Sequence, residues 1–181
     1  MSSLQNTTAA PVETAYIALG SNLASCAGSP VETVKAVIDR LRGWTTGEFS
    51  ASSLYRSVAE DCPAGSPDFI NGVVSLELDS TLDSHELLLR LLALEAEYGR
   101  KRAGHRNAPR TLDLDLIAFG NRQFSSEALE LPHPRAHQRQ FVLQPLAEIT
   151  PDLVLPGMHK TVSELLRNET VGGRCRVIES S

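Results

Sequence analysis

Arg106-Asn107-Ala108-Pro109-Arg110-Thr111-Leu112-Asp113-Leu114-Asp115-Leu116-Ile117 is the stretch on which the reading of this chain turns. Pro109 lacks an amide hydrogen and restricts the residue before it, so a helix entering from the N-terminal side stops there. Strict alternation follows. It predicts a strand with Leu112, Leu114 and Leu116 on one face. Asp113 and Asp115 then share the other face, about 7 Å apart at roughly 3.3 Å of rise per residue. Hard cations such as Mg²⁺ take carboxylate and phosphate oxygens together, so the pair suits a metal-bound polyphosphate.

The residues upstream sharpen this. No acid lies between Glu97 and Asp113, while Arg100, Lys101, Arg102, His105, Arg106 and Arg110 fall in that interval. Arginine forks hold phosphate oxygens, and a cationic loop runs straight into the dicarboxylate strand. The bland alternative is an edge strand with two solvated acids behind a solvated basic turn. A second cationic group, His133, Arg135, His137 and Arg139, lies in another acid-free interval, between Glu130 and Glu148. By itself it also reads as a solvated loop.

The totals bound the answer. With 181 residues, one domain with a proper core is expected. A net charge of −5 argues against a general nucleic-acid binder and makes the local basic loops more informative. Cys26, Cys62 and Cys175 are few and far apart, which suits a reducing, cytoplasmic setting and suggests neither a zinc site nor a disulfide framework. Met1 to Pro11 is rich in Ser, Thr and Ala without a basic apolar segment, so it is not read as a signal peptide. No apolar run approaches membrane-spanning length.

Taken in order, residues 1–12 read as a flexible leader and 13–160 as the domain. Residues 161–181 read as a C-terminal extension of the same domain, or a tail. Thr14 to Leu19 is a strand, and Gly20-Ser21-Asn22 turns the chain. Ser29-Pro30-Val31-Glu32 is a capping box with Pro at the first helical position. Val34, Val37, Ile38 and Leu41 follow at helical spacing, and Gly43 ends the helix. Phe49 to Ser57 and Phe69 to Leu78 read as two strands. Asp83 and Glu86 cap a second helix, whose core stripe is Leu87, Leu91, Leu94 and Tyr98, with Gly99 breaking it. Glu95 reads as a solvated residue near that helix end, facing the basic loop. Phe141 to Ile149 and Val162 to Arg167 suggest short helices, and Arg174 to Ile178 a last strand or a loose tail. The order predicts an α+β fold, a ferredoxin-like βαββαβ sandwich: one antiparallel sheet backed by helices, with C-terminal elaborations. Such a fold hosts many activities.

Arg-x-Ala-Pro-Arg-x-x-Asp-Leu-Asp-Leu-Ile resembles the signature of the 6-hydroxymethyl-7,8-dihydropterin pyrophosphokinases of folate biosynthesis. The resemblance runs from Thr14 to Gly157. It includes Ala15 to Leu23, Pro67-Asp68-Phe69-Ile70-Asn71, and Pro132-His133-Pro134-Arg135 with Arg139 and Phe141. It implies the same ferredoxin-like fold and transfer of a diphosphate from ATP to the pterin alcohol, with release of AMP. It implies two Mg²⁺ ions on Asp113 and Asp115, with Arg100 and Arg110 catalytic beside them. Arg100, Arg102, Arg110, His133 and Arg139 would contact ATP, with Glu95 as a neighbour and Leu116 lining the adenine pocket through its backbone. Phe69 and Phe141 would sandwich the pterin, with Asn71 on its amino-pyrimidinone edge and Ser57 beside it. Either Phe could equally be plain core.

The chain departs from the family pattern in three places. Asn107 stands where the well-known bacterial member has a mobile-loop Trp, Ser57-Val58-Ala59 replaces a Thr-Pro-Pro-like segment, and Ala24 to Gly28 with the leader adds length. The partners expected are ATP and the dihydropterin, with no nucleic acid and no membrane, and the chain is read as a monomer. Two rivals stay open: a nucleic-acid-binding ferredoxin-like module, opposed by 5% aromatic content and the acidic charge, and a catalytically silent nucleotide- or pterin-binding scaffold. If Asp113 and Asp115 repel each other in the empty site, removing either should stabilise the unliganded protein or leave it unchanged.

Overall fold

The computed structural model describes residues 11–59, 62–63, 65–101, 108–168, 172 and 174–179. The basic-loop residues Arg102, His105, Arg106 and Asn107, and most of the leader, lie outside this set.

The sheet is built from β1 (Val12–Ser21), β2 (Phe49–Ala51), β3 (Leu54–Ser57), β4 (Phe69–Asp79), β5 (Asp113–Phe119) and β8 (Cys175–Glu179). Its order is β5-β1-β4-β3-β8, with β2 also paired to β4, and every pairing is antiparallel. Helices α1 (Pro30–Arg42) and α2 (Ser84–Glu97) lie between strands as the periodicity predicts. Ser29 and Glu32 complete the reciprocal capping box of α1. Asp83 caps α2 by accepting from the amides of His85 and Glu86, while Glu86 pairs with Arg90 instead of reaching back.

Alternation along the strands divides two cores. Ala15, Ile17 and Leu19 of β1, Val74 and Leu76 of β4, and Leu112, Leu114 and Leu116 pack under α1 and α2. Ala18, Val73, Ile117 and Ala118 face the opposite side. That side is covered by α3 (Gln140–Ile149) and α4 (Val162–Leu166), through Val142, Leu143, Leu146, Val162 and Leu165. Ile117 and Ala118 share this face because the register shifts there: Ile17 pairs with Leu116, but Tyr16 with Ala118. A bulge gives two adjacent residues to one side and returns Phe119 to the first core. A short hairpin, β6 (Phe124–Ser125) and β7 (Glu130–Leu131), leads to a 3₁₀ turn at Ala136–Gln138 and into α3.

Several expectations change. The expected strand from Phe49 to Ser57 is broken at Ser52-Ser53. The Ser52 hydroxyl accepts the Val73 amide at 3.0 Å and donates to Ser53 O, so a side chain replaces one rung of the ladder. Val12, assigned to the leader, begins β1. Gly20 and Ser21, expected in a turn, continue β1 opposite Asn71 and Ile70. Gly43 ends α1 in a right-handed conformation (φ −68°), not the left-handed one its identity suggests. The segment left open as a tail forms β8 on the β3 edge. Among the described residues, no helix is long and apolar enough to cross a membrane.

Candidate active site

The cleft opens on the second face of the sheet, at the end that α3 leaves uncovered. Gly20, Asn71, Asp113 and Asp115 line it from neighbouring strands, with Phe69 and Phe141 beside them. Arg100, Arg110, His133 and Arg139 converge on the same cleft. A Cβ on Gly20 would lie 3.5 Å from Asn71 Oδ1, 3.6 Å from the Phe69 ring and 3.8 Å from Asp113 Cβ. The missing side chain therefore leaves the floor open where these three residues meet.

Arg100 is placed by the end of α2. Gly99 takes φ +83°, its amide bonds to Ala96 O, and the Arg100 amide bonds to Glu95 O at 3.1 Å. This is the paired closure of a helix by a left-handed glycine, and it sets Arg100 directly over Glu95. The guanidinium Nη1 donates to Glu95 Oε1 at 2.6 Å, to Leu112 O at 3.1 Å and to Asp113 Oδ1. Glu95 is 2% exposed, and its Oε1 also accepts the Leu114 amide at 2.8 Å. The solvated reading of Glu95 is thus wrong. It sits behind Arg100 and caps an edge amide of β5, where a buried acid is held by charge and hydrogen bonds.

Asp113 is held from both sides, since Arg110 Nη1 donates to its Oδ2 at 2.9 Å. Asp115 differs. Arg139 Nη1 stands 3.6 Å and His133 Nε2 3.9 Å from its Oδ2, and among the described residues its carboxylate accepts no hydrogen bond. Burial, and then the neighbouring Asp113 charge, push its pKa up despite these cations. Burial likewise holds His133 below the usual histidine range, with Asp115 opposing. The two acids are therefore held differently, Asp113 by two guanidinium bonds and Asp115 by cations beyond hydrogen-bond distance, so relief by removal is expected for Asp115 alone.

These residues fit a hard cation. Asp115 accepts no hydrogen bond from the described residues, and each Asp113 oxygen keeps a lone pair beyond its arginine bond. Among the described residues no group of three or more His, Cys, Asp or Glu gathers to hold a metal. A cation here would complete its shell with substrate oxygens and water, as Mg²⁺ does at phosphates.

Asn71, Phe69 and Phe141 line the same cleft. The Asn71 amide nitrogen donates to Ser57 Oγ at 2.9 Å, which leaves its carbonyl oxygen toward Gly20. The Arg110 guanidinium lies 5.9 Å from the Phe69 ring centre, and Arg139 5.4 Å from that of Phe141. His133 reaches the cleft because its amide bonds to Ile117 O at 2.8 Å, tying the loop to the β5 edge.

Of the residues chosen from sequence, Arg100, Arg110, Asp113, Asp115, His133, Arg139, Ser57, Phe69, Asn71 and Phe141 line the cleft. Leu116 does not: it is 3% exposed and its side chain belongs to the first core. Arg102 lies outside the described residues. Sequence reasoning gave no role in the cleft to Ala18, Leu19, Val58, Cys62 or Arg135, and picked out Gly20 only as part of a turn. Their positions follow from strand register and loop path, and only Gly20 carries a local signal, the absence of a side chain in a strand.

A family model described as 7,8-dihydro-6-hydroxymethylpterin-pyrophosphokinase matches residues 16–151. The chain belongs to this family. A Haemophilus influenzae relative named 2-amino-4-hydroxy-6-hydroxymethyldihydropteridine pyrophosphokinase is 40% identical over 155 residues, covering 85% of this chain and 91% of the relative. A Pseudomonas aeruginosa protein of the same name is 43% identical over 150 residues, 82% and 88% of the two chains. A Synechocystis protein of that name is 50% identical over 115 residues, and the match spans 64% of this chain and 56% of the relative. A solved Plasmodium falciparum structure, described as wild-type HPPK-DHPS with pteroate, superimposes with a TM-score of 0.67 at 12% identity. It covers 88% of this chain and 45% of that one, and bears on the fold alone.

Proposed function

We infer that this pyrophosphokinase transfers the terminal diphosphate of ATP to the hydroxymethyl group of 6-hydroxymethyl-7,8-dihydropterin, with AMP as the other product, in folate biosynthesis. Family membership supports the activity. What supports the assignment of residues is that one cleft gathers two carboxylates, five basic side chains, two aromatic rings and the Asn71 amide.

The pterin alcohol oxygen forms a bond to the β-phosphorus, and the bond from that phosphorus to the α–β bridging oxygen breaks. The electron pair leaves on AMP, and the alcohol gives up its proton. Such a reaction needs positioning and charge neutralisation more than covalent chemistry from the protein. Arg100 and Arg110, already oriented by Glu95 and Asp113, present fixed forks to the phosphates. Arg139 and His133 close the cationic side opposite them. Asp113 and Asp115 would hold Mg²⁺, two ions by family resemblance, which when bound neutralises phosphate charge and activates the attacking oxygen. Phe69 and Phe141 offer flat faces to the pterin, and Asn71 Oδ1 accepts from its amino-pyrimidinone edge. Arg102, Glu95 and the backbone of Leu116 stay as nucleotide neighbours in this proposal, Glu95 acting through Arg100. The proposal includes a cytoplasmic monomer, with a domain that spans residues 13–160 and extends through α4 and β8.

Chromatography of the nucleotides formed from ATP and the dihydropterin alcohol tests the reading. AMP should appear in step with pterin diphosphate. ADP with a pterin monophosphate would overturn diphosphate transfer, and no product with Mg²⁺ present would favour a silent scaffold.

A further inference from the structure

Asn22 is 3% exposed and lies just past the end of β1. It does not line the cleft, yet it joins two segments that carry lining residues, Arg110 and Phe69. Its Oδ1 accepts the Arg110 amide at 2.7 Å, and its own amide donates to Arg110 O at 3.1 Å. Both backbone polar groups of Arg110 are thus taken by one residue 88 positions away in sequence. The Asn22 Nδ2 donates to Pro67 O at 3.0 Å, two residues before Phe69. The adjacent Ser21 hydroxyl donates to Thr111 O at 2.7 Å, so the contact continues along the approach to β5.

A buried amide using its carbonyl and its N–H on two different segments fixes their separation in a way an apolar side chain cannot. The clipped segments carry Arg110 and Phe69, which both line the cleft. Arg110 reaches Asp113 at 2.9 Å, and its guanidinium faces the Phe69 ring. We propose that Asn22 is a positioning residue for the transfer: by clipping Arg110 to Pro67 it sets the phosphate-side arginine against the pterin-side ring. Ordering one segment thereby orders the other. This rests on the diphosphate-transfer reading of the cleft.

The test compares Asn22→Ala with the isosteric Asn22→Asp, which keeps an acceptor for the Arg110 amide but, when ionised, offers no N–H to Pro67 O. Misplacement of about 1 Å can cost about 100-fold in rate. Asn22→Ala should therefore lower kcat by about 10- to 100-fold and raise KM for both substrates. Asn22→Asp should raise KM for the pterin by about tenfold and leave KM for ATP within about threefold. A purely structural clip would lower the melting temperature and leave kcat and both KM values within about twofold of wild type. That result overturns the proposal.

Hydrogen exchange on the wild type decides the matter if neither variant folds. The dihydropterin at saturation, without nucleotide, should slow exchange in the peptide spanning 108–114 as well as in that spanning 67–72. Slowing confined to 67–72 overturns the coupling. Failure of wild type to bind the pterin or ATP would overturn the functional reading and this inference together. Wild-type turnover with unaltered Asn22 variants would overturn this inference alone.

Discussion

Asp113 and Asp115 are two residues apart on one strand face, and replacing each by Asn should move the unliganded protein in opposite directions. Asp113 accepts from Arg100 and from Arg110, and the Arg100 side chain is only 16% exposed. Hydrogen bonds to charged groups contribute about 1.5–3 kcal/mol each. An amide keeps one acceptor but loses the charge, so Asp113→Asn should cost about 2–4 kcal/mol. For a chain of this size 1 kcal/mol shifts Tm by about 2–4 °C, which gives a fall of roughly 4–16 °C.

Asp115 has no such partner at hydrogen-bond distance among the described residues, and its folded pKa is raised by burial and by Asp113. A raised carboxyl binds more protons folded than unfolded. Its contribution is then fully present below the unfolded pKa and is lost as pH rises through the folded one. Near neutral pH the ionised group is a liability, so Asp115→Asn should melt at or above the wild-type temperature without metal. That advantage should vanish at acid pH, where wild-type Asp115 is protonated. Scanning calorimetry in chelator across that pH range measures both effects, and turnover with Mg²⁺ should fall by about 10²-fold or more in each variant. The reasoning fails if Asp115→Asn melts as far below wild type as Asp113→Asn, or if its difference from wild type does not change with pH.

Three further outcomes are expected. Phe141→Ala should weaken pterin binding by roughly 1–3 kcal/mol and ATP binding much less, as separate calorimetric titrations would show; an equal loss for both ligands counts against a stacking role. Gly20→Val should fold, because the added Cβ meets only ordinary contacts of 3.5–3.8 Å. Its methyl groups would enter the cleft and raise KM for the pterin by about tenfold or more in steady-state assays. Arg122 donates to Glu13, Leu82 O, Ser84 Oγ and Ser80 O, and lies 3.8 Å over the Phe119 ring, remote from the cleft residues. Arg122→Ala should cost about 3 kcal/mol in urea melts while kcat stays within about twofold below the melting range.

Much of this protein is written locally. The capping box at Ser29 and Glu32, the stripe Leu87, Leu91, Leu94, and the alternation from Leu112 to Leu116 depend on neighbours a few residues away. Their elements can therefore be read from the chain. The shared face of Asp113 and Asp115 follows from the two-residue period of a strand, and the basic loops follow from composition. The motif set also carried the family.

What the tertiary structure decided involves partners distant in sequence. Glu95 lies four residues after Leu91, on the buried stripe by spacing, yet its charge reads as solvated; what accommodates it is the β5 edge lying against α2, where the Leu114 amide needs an acceptor. Asp113 and Asp115 are alike in sequence, and only the positions of Arg100 and Arg110 on one side and Arg139 and His133 on the other separate their charges. Gly20 shows its purpose only when β4 and β5 set Asn71 and Asp113 on either side of it. Asn22 looks like an ordinary turn residue until Arg110 and Pro67 arrive from 88 and 45 positions away. Local periodicity constrains which face a side chain takes. Which charges and hydrogen-bond partners meet it there is fixed by packing between segments, and no short-range pattern records that.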